Sequence, residues 1–132
     1  VDGNFLYTFS GNTLYKVDIS TNTLSPQAYD IGTKINDIAL KYTVWNKEKA
    51  IAKTRNIYIY IATDNGLKVF SIDDGKLVTS YSNDSGKIYK ITIDNNIIYC
   101  IVGDTLKIYD ISVPVYNSFL GEVSGLNKGV NP

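Results

Sequence analysis

The sequence predicts an all-β chain built from a repeated antiparallel unit, and three observations carry that prediction. A hexapeptide recurs as Leu14-Tyr15-Lys16-Val17-Asp18-Ile19, Leu67-Lys68-Val69-Phe70-Ser71-Ile72 and Leu106-Lys107-Ile108-Tyr109-Asp110-Ile111. A tyrosine stands seven residues ahead of each leading leucine, at Tyr7, Tyr60 and Tyr99. Runs of β-branched and aromatic residues alternate with clusters of Gly, Asn and Asp, while helical periodicity is absent almost everywhere. A unit copied at this size buries its apolar faces against its own neighbours.

The first copy opens at Asn4 directly on its tyrosine strand and continues into Leu14–Ile19. The second begins earlier in its cycle, with a strand over Ile35–Leu40, then the strand-rich Ile57–Ala62. Asp64-Asn65-Gly66 supplies residues that accept positive φ, as a tight hairpin requires. Strands over Leu67–Ile72 and Lys76–Tyr81 flank a second turn at Asp73-Asp74-Gly75. After a loop at 82–86 the third copy runs from Lys87–Ile93 through a turn at Asp94-Asn95-Asn96 to its own anchor at Leu106. Copies one and two stay in register beyond the anchor: Leu24 matches Leu77, Ile35 matches Ile88, Ile38 matches Ile91 and Leu40 matches Ile93.

The anchors Leu67 and Leu106 lie 39 residues apart, near the roughly 40–45 residues of a four-stranded propeller blade. The segment Leu106-Lys107-Ile108-Tyr109-Asp110-Ile111-Ser112-Val113-Pro114, followed by Leu120-Gly121, resembles the blade repeat of β-propellers. The likeness covers residues 4–121, in repeats of about 4–34, 35–86 and 87–121 with a tail at 122–132. It departs from the pattern at Tyr15-Lys16 and after Gly121. The resemblance implies three antiparallel propeller-like blades in one domain, of which the first lacks its innermost strand. Closed propellers need about four to eight blades, and a twofold pair is the commonest closed oligomer. The expectation is therefore half of a six-bladed β-propeller closed by homodimerisation, with the tail segment Glu122–Leu126 one candidate for the missing inner strand.

Leu14 and Leu67 are 53 residues apart, and the excess falls in an insertion at residues 41–55. It holds the single Trp, at position 45, and five basic residues (Lys41, Lys47, Lys49, Lys53, Arg55) against Glu48. Two shapes compete: a long hairpin arm that lengthens two strands already paired, which is preferred, and a short helix over 47–53 capped by Asn46. An aromatic on a basic protrusion suits a protein contact, since Trp and Arg are enriched at interface anchors. The candidate interaction residues are Tyr42, Trp45, Lys47, Lys49, Lys53 and Arg55. The competing structural account folds Trp45 back over the sheet edge and leaves the lysines solvated.

Composition removes several chemistries. With no histidine, Ser-His-Asp and Cys-His machinery and the usual Cys/His zinc sites are excluded. A lone Cys100, set in a strand, reads as a small buried hydrophobe. Thirteen basic and thirteen acidic residues cancel, so no nucleic-acid partner is expected. No motif calls for a cofactor, and none is expected. The longest apolar runs are too short to span a bilayer, and no charged-then-apolar signal segment opens the chain. The acidic triplets lack the spaced continuation of a calcium loop and read as turns. Asp18 and Asp110 hold equivalent positions with Ser71 between them, which fits hydrogen bonding to a neighbouring turn better than paired-carboxylate catalysis. Asn83-Asp84-Ser85 matches an N-glycosylation acceptor.

The resulting reading is a non-enzymatic, self-assembling scaffold or protein-interaction module. Its alternative is a carbohydrate-binding, lectin-like propeller using Tyr7, Tyr60 and Tyr99. The composition, rich in Ile, Tyr and Asn and free of His and Met, also resembles that of proteins from thermophilic archaea and their viruses. That likeness implies a structural virion component.

Overall fold

The computed structural model describes residues 4–20, 26–44, 55–81, 86–113 and 116–125, and among them every regular element is a strand. Eleven strands form three antiparallel sheets. The first sheet holds β1 (Phe5–Ser10), β2 (Thr13–Asp18) and β3 (Pro26–Asp30) in that order. The middle sheet holds β4 (Ile35–Val44), β5 (Arg55–Thr63), β6 (Gly66–Ser71) and β7 (Lys76–Tyr81). The third holds β8 (Ile88–Asp94), β9 (Ile97–Val102), β10 (Thr105–Val113) and β11 (Tyr116–Val123). Each sheet is a meander of sequence neighbours, as short hairpin turns dictate.

The repeat anchors fall at one register position. Leu14, Leu67 and Leu106 pair across the hairpin with Phe9, Ala62 and Ile101. The turn between β5 and β6 shows why the sequence folds there. Gly66 takes φ +99°, a region that L side chains rarely adopt. The Thr63 hydroxyl donates to Gly66 O at 2.7 Å and accepts the Asn65 N–H at 2.9 Å.

Strand alternation gives the middle sheet two apolar faces. Ile59, Ile61 and Phe70 pack against Tyr7, Leu14 and Ile31 of the first sheet and its connection. Tyr60, Ala62, Leu67 and Val69 point the other way, against Ile88, Ile91, Ile98, Cys100, Tyr109 and Ile111 of the third. The middle sheet is thus buried on both sides, which explains its near-continuous apolar strands.

Both β4 and β8 carry a register shift at the same place, between Ile35 and Asp37 and between Ile88 and Lys90. A bulge of this kind lets residues three apart share a face. Ile35 and Ile38 accordingly face the first sheet, and Ile88 and Ile91 the middle one.

Among the described residues the first sheet has no counterpart of β4 or β8, so β1 is an edge strand there, as expected for a first copy lacking its inner strand. The expected source of that strand is corrected. Glu122 and Val123 lie in β11, paired with Lys107 and Leu106, because the third copy needs them to complete its own fourth strand. The insertion begins as the expected hairpin: β4 and β5 stay paired through Tyr42↔Ile57, Thr43↔Asn56 and Val44↔Arg55. Residues 45–54 lie outside the described residues. No helix among the described residues is long and apolar enough to cross a membrane.

Candidate interaction site

Of the sequence-derived candidates, Tyr42 lies near the outer end of β4 and is 40% exposed, and Arg55 opens β5 opposite Val44. Trp45, Lys47, Lys49 and Lys53 fall outside the described residues, as does Asn83-Asp84-Ser85. At the root of the arm, the Lys41 ammonium donates to Asn96 Oδ1 at 2.9 Å, tying β4 to the β8–β9 turn. Tyr58, paired with Lys41, has its phenol pKa raised, first by burial and then by the Asp74 and Asp73 carboxylates.

The equivalent trio Asp18, Ser71 and Asp110 caps turns. Asp18 Oδ1 accepts both the N–H (2.9 Å) and the hydroxyl (2.6 Å) of Ser20. Asp110 Oδ1 accepts the Ser112 N–H at 2.8 Å and the Ser112 hydroxyl. Ser71 Oγ accepts the Asp74 N–H at 3.2 Å. The serine hydroxyl and then its backbone N–H hold both aspartates below the ordinary carboxylate value of 3.8, since these bonds favour the charged form. Three equivalent residues each bonded to their own turn do not converge on one reacting point.

The repeated tyrosines are packing residues in two of three copies. Tyr7 is 7% exposed and Tyr60 fully buried, each facing the next sheet, while Tyr99 is half-buried on the outer side of the third sheet. Cys100 is buried in the core between the middle and third sheets.

Sequence reasoning missed the polar joint between the middle and third sheets. Asn36 Nδ2 donates to Ile88 O at 3.0 Å and to Asp64 Oδ1 at 3.0 Å. Asp37 Oδ2 accepts the Ile91 N–H at 3.0 Å, while its Oδ1 accepts that of Ile38. Lys87 lies 3.9 Å from Asp64 at the rim, an exposed pair contributing under about 1 kcal/mol. A signal was present: adjacent polar residues inside an apolar strand, at an Ile-x-x-Ile spacing that breaks strand alternation.

The outer sheets each leave one face without a neighbour among the described residues. On the third sheet, Tyr99, Ile101, Leu106 and Ile108 alternate with buried residues along β9 and β10 and are half-buried, beside Val123, which is 51% exposed. On the first sheet, the outer side carries Leu6 and Thr8 of β1 and the half-buried Val17 of β2, with the exposed Ile19 just beyond. These faces are the two candidate docking surfaces.

No family model matches the sequence, and no curated protein matches it. Among solved structures, the chain is similar to the computationally designed Ika8 protein at 14% sequence identity and a TM-score of 0.44. That match covers 90% of this chain and 48% of the designed one, so the chain spans about half its length.

Proposed function

We propose that the chain is a non-catalytic structural module whose two apolar outer faces join copies of it, two copies completing a six-bladed, propeller-like ring. One observation carries this reading: among the described residues the middle sheet buries both faces, whereas the flanking sheets bury only one each and keep large apolar residues on the other. Apolar area left in water costs about 25 cal/mol per Å², so covering two such faces at once stabilises association. The two equivalent carboxylates, Asp18 and Asp110, are each bonded to the serine of their own turn. Burial of Tyr7 and Tyr60 also removes the regular aromatic surface a lectin would use. The composition supports a structural virion component as the setting, and the basic 41–55 segment, with Tyr42, Trp45, Lys47, Lys49, Lys53 and Arg55, is the part of the chain offered to a further protein.

Thermal unfolding at increasing protein concentration tests the reading. Mass action raises the midpoint with concentration when folded chains associate. A midpoint independent of concentration, with a monomeric mass throughout, contradicts it.

A further inference from the structure

The two internal joints repeat one apolar pattern, and that pattern says which surface meets which. Going forward along the chain, each sheet presents its tyrosine and anchor leucine to the next. Tyr7 and Leu14 of the first sheet enter the core shared with the middle sheet, and Tyr60 and Leu67 of the middle sheet enter the core shared with the third. The receiving side also repeats. Ile59, Ile61 and Phe70 receive the first sheet, with Ile72 packed against them, and their equivalents Ile98, Cys100, Tyr109 and Ile111 receive the middle one.

The same two half-joints recur without a partner among the described residues, the receiving one lacking the inner strand that β4 and β8 supply elsewhere. On the third sheet, Tyr99 and Leu106 are the forward residues, flanked by the half-buried Ile101 and Ile108. On the first sheet, Leu6, Thr8, Val17 and Ile19 occupy the receiving positions; Leu6 is 36% and Ile19 45% exposed. Resting on the self-association reading above, we infer that the third sheet of one copy docks head-to-tail on the first sheet of a second copy, repeating the internal joint. Like faces do not meet, because two forward faces would bring tyrosine and leucine onto their own kind and leave both receiving faces open.

The repeat also names a contact pair. Across the first joint, Tyr29 of β3 lies against Phe70 of β6 with ring centroids 4.8 Å apart. Tyr29 pairs with the anchor Leu14, and Val123 pairs with the anchor Leu106, so Val123 holds the Tyr29 position on the third sheet. Val17 holds the Phe70 position on the first sheet. Val123 of one copy therefore meets Val17 of the other.

Chains carrying Val17→Cys alone and Val123→Cys alone are mixed and treated with a short bis-maleimide, with light-scattering mass recorded in parallel. Both sites are at least partly solvent-accessible, and the unsubstituted chain controls for the buried Cys100. The expected result is a crosslinked pair in the mixture that is lost when either variant is treated alone. A dimeric mass without that product, or with crosslinks between identical variants, overturns the head-to-tail joint while leaving self-association standing. A monomeric mass overturns both.

Discussion

Asp37 accepts the backbone N–H of Ile91 across the gap between the middle and third sheets, 3.0 Å from Oδ2 to nitrogen. A carboxylate spent on a neighbouring strand's backbone fixes how the two sheets lie on each other, because the bond tolerates little sliding. Asn36 adds a second bond of the same kind to Ile88 O. Among the described residues no equivalent spans the first and middle sheets, where the first sheet lacks the strand that would carry it. There the backbone serves instead, with Ile35 N of β4 donating to Gly11 O of the first sheet at 2.9 Å.

Asp37→Ala strands the Ile91 and Ile38 amides and should lower stability by about 1–3 kcal/mol. Asp37→Asn keeps one acceptor oxygen and should fall between the two. Urea unfolding of the three proteins checks the order, and an alanine variant as stable as the parent would show that the joint rests on apolar packing alone.

The three anchor leucines are chemically identical but should respond differently. Leu14 and Leu67 are buried between sheets, so Leu14→Ala and Leu67→Ala should each cost about 2–5 kcal/mol. Leu106 reaches only the outer face, so Leu106→Ala should cost the dilute chain far less and act instead on dimerisation. The measurement is denaturation of each variant at low and high protein concentration. An equal loss for all three at low concentration would mean that Leu106 is already covered within one chain.

Much of this architecture was legible in the sequence, because hairpin turns and alternation are local. The strand at Lys76–Tyr81 and the turns at Asp64-Asn65-Gly66 and Asp94-Asn95-Asn96 lie where the residues place them. The role of Asp18 and Asp110 was legible too, since an aspartate two residues before a serine can close its own turn. What escaped was non-local. The tail's Glu122 and Val123 read as a candidate inner strand for the first copy, yet pairing with Lys107 and Leu106 claims them for β11. Asn36 and Asp37 drew no reading from the sequence, because their acceptor and donor, Ile88 and Ile91, lie more than fifty positions away.

Acid should weaken the two capped turns. Asp18 and Asp110 have folded pKa values below 3.8, so their contribution is fully present above that value and is lost as pH falls through the lower folded values. An Asp18→Asn, Asp110→Asn double variant should therefore show a flatter fall in stability below about pH 4 than the parent. Parallel acid limbs for the two proteins would show that these caps do not couple to folding.

The arm should be separable from assembly. Replacing residues 45–54 by an Asn-Gly turn between Val44 and Arg55 keeps the paired ends of β4 and β5, and this two-residue turn suits antiparallel strands. The shortened chain should fold and retain its dimeric mass. Loss of the dimer on this deletion would move self-association from the sheet faces to the arm.

The account turns on whether two copies cover the outer faces of the first and third sheets. Light scattering on the purified chain measures this directly. A stable species of about 29 kDa, twice the 14.7 kDa chain, is the predicted result; a strict 14.7 kDa monomer at every concentration would contradict it.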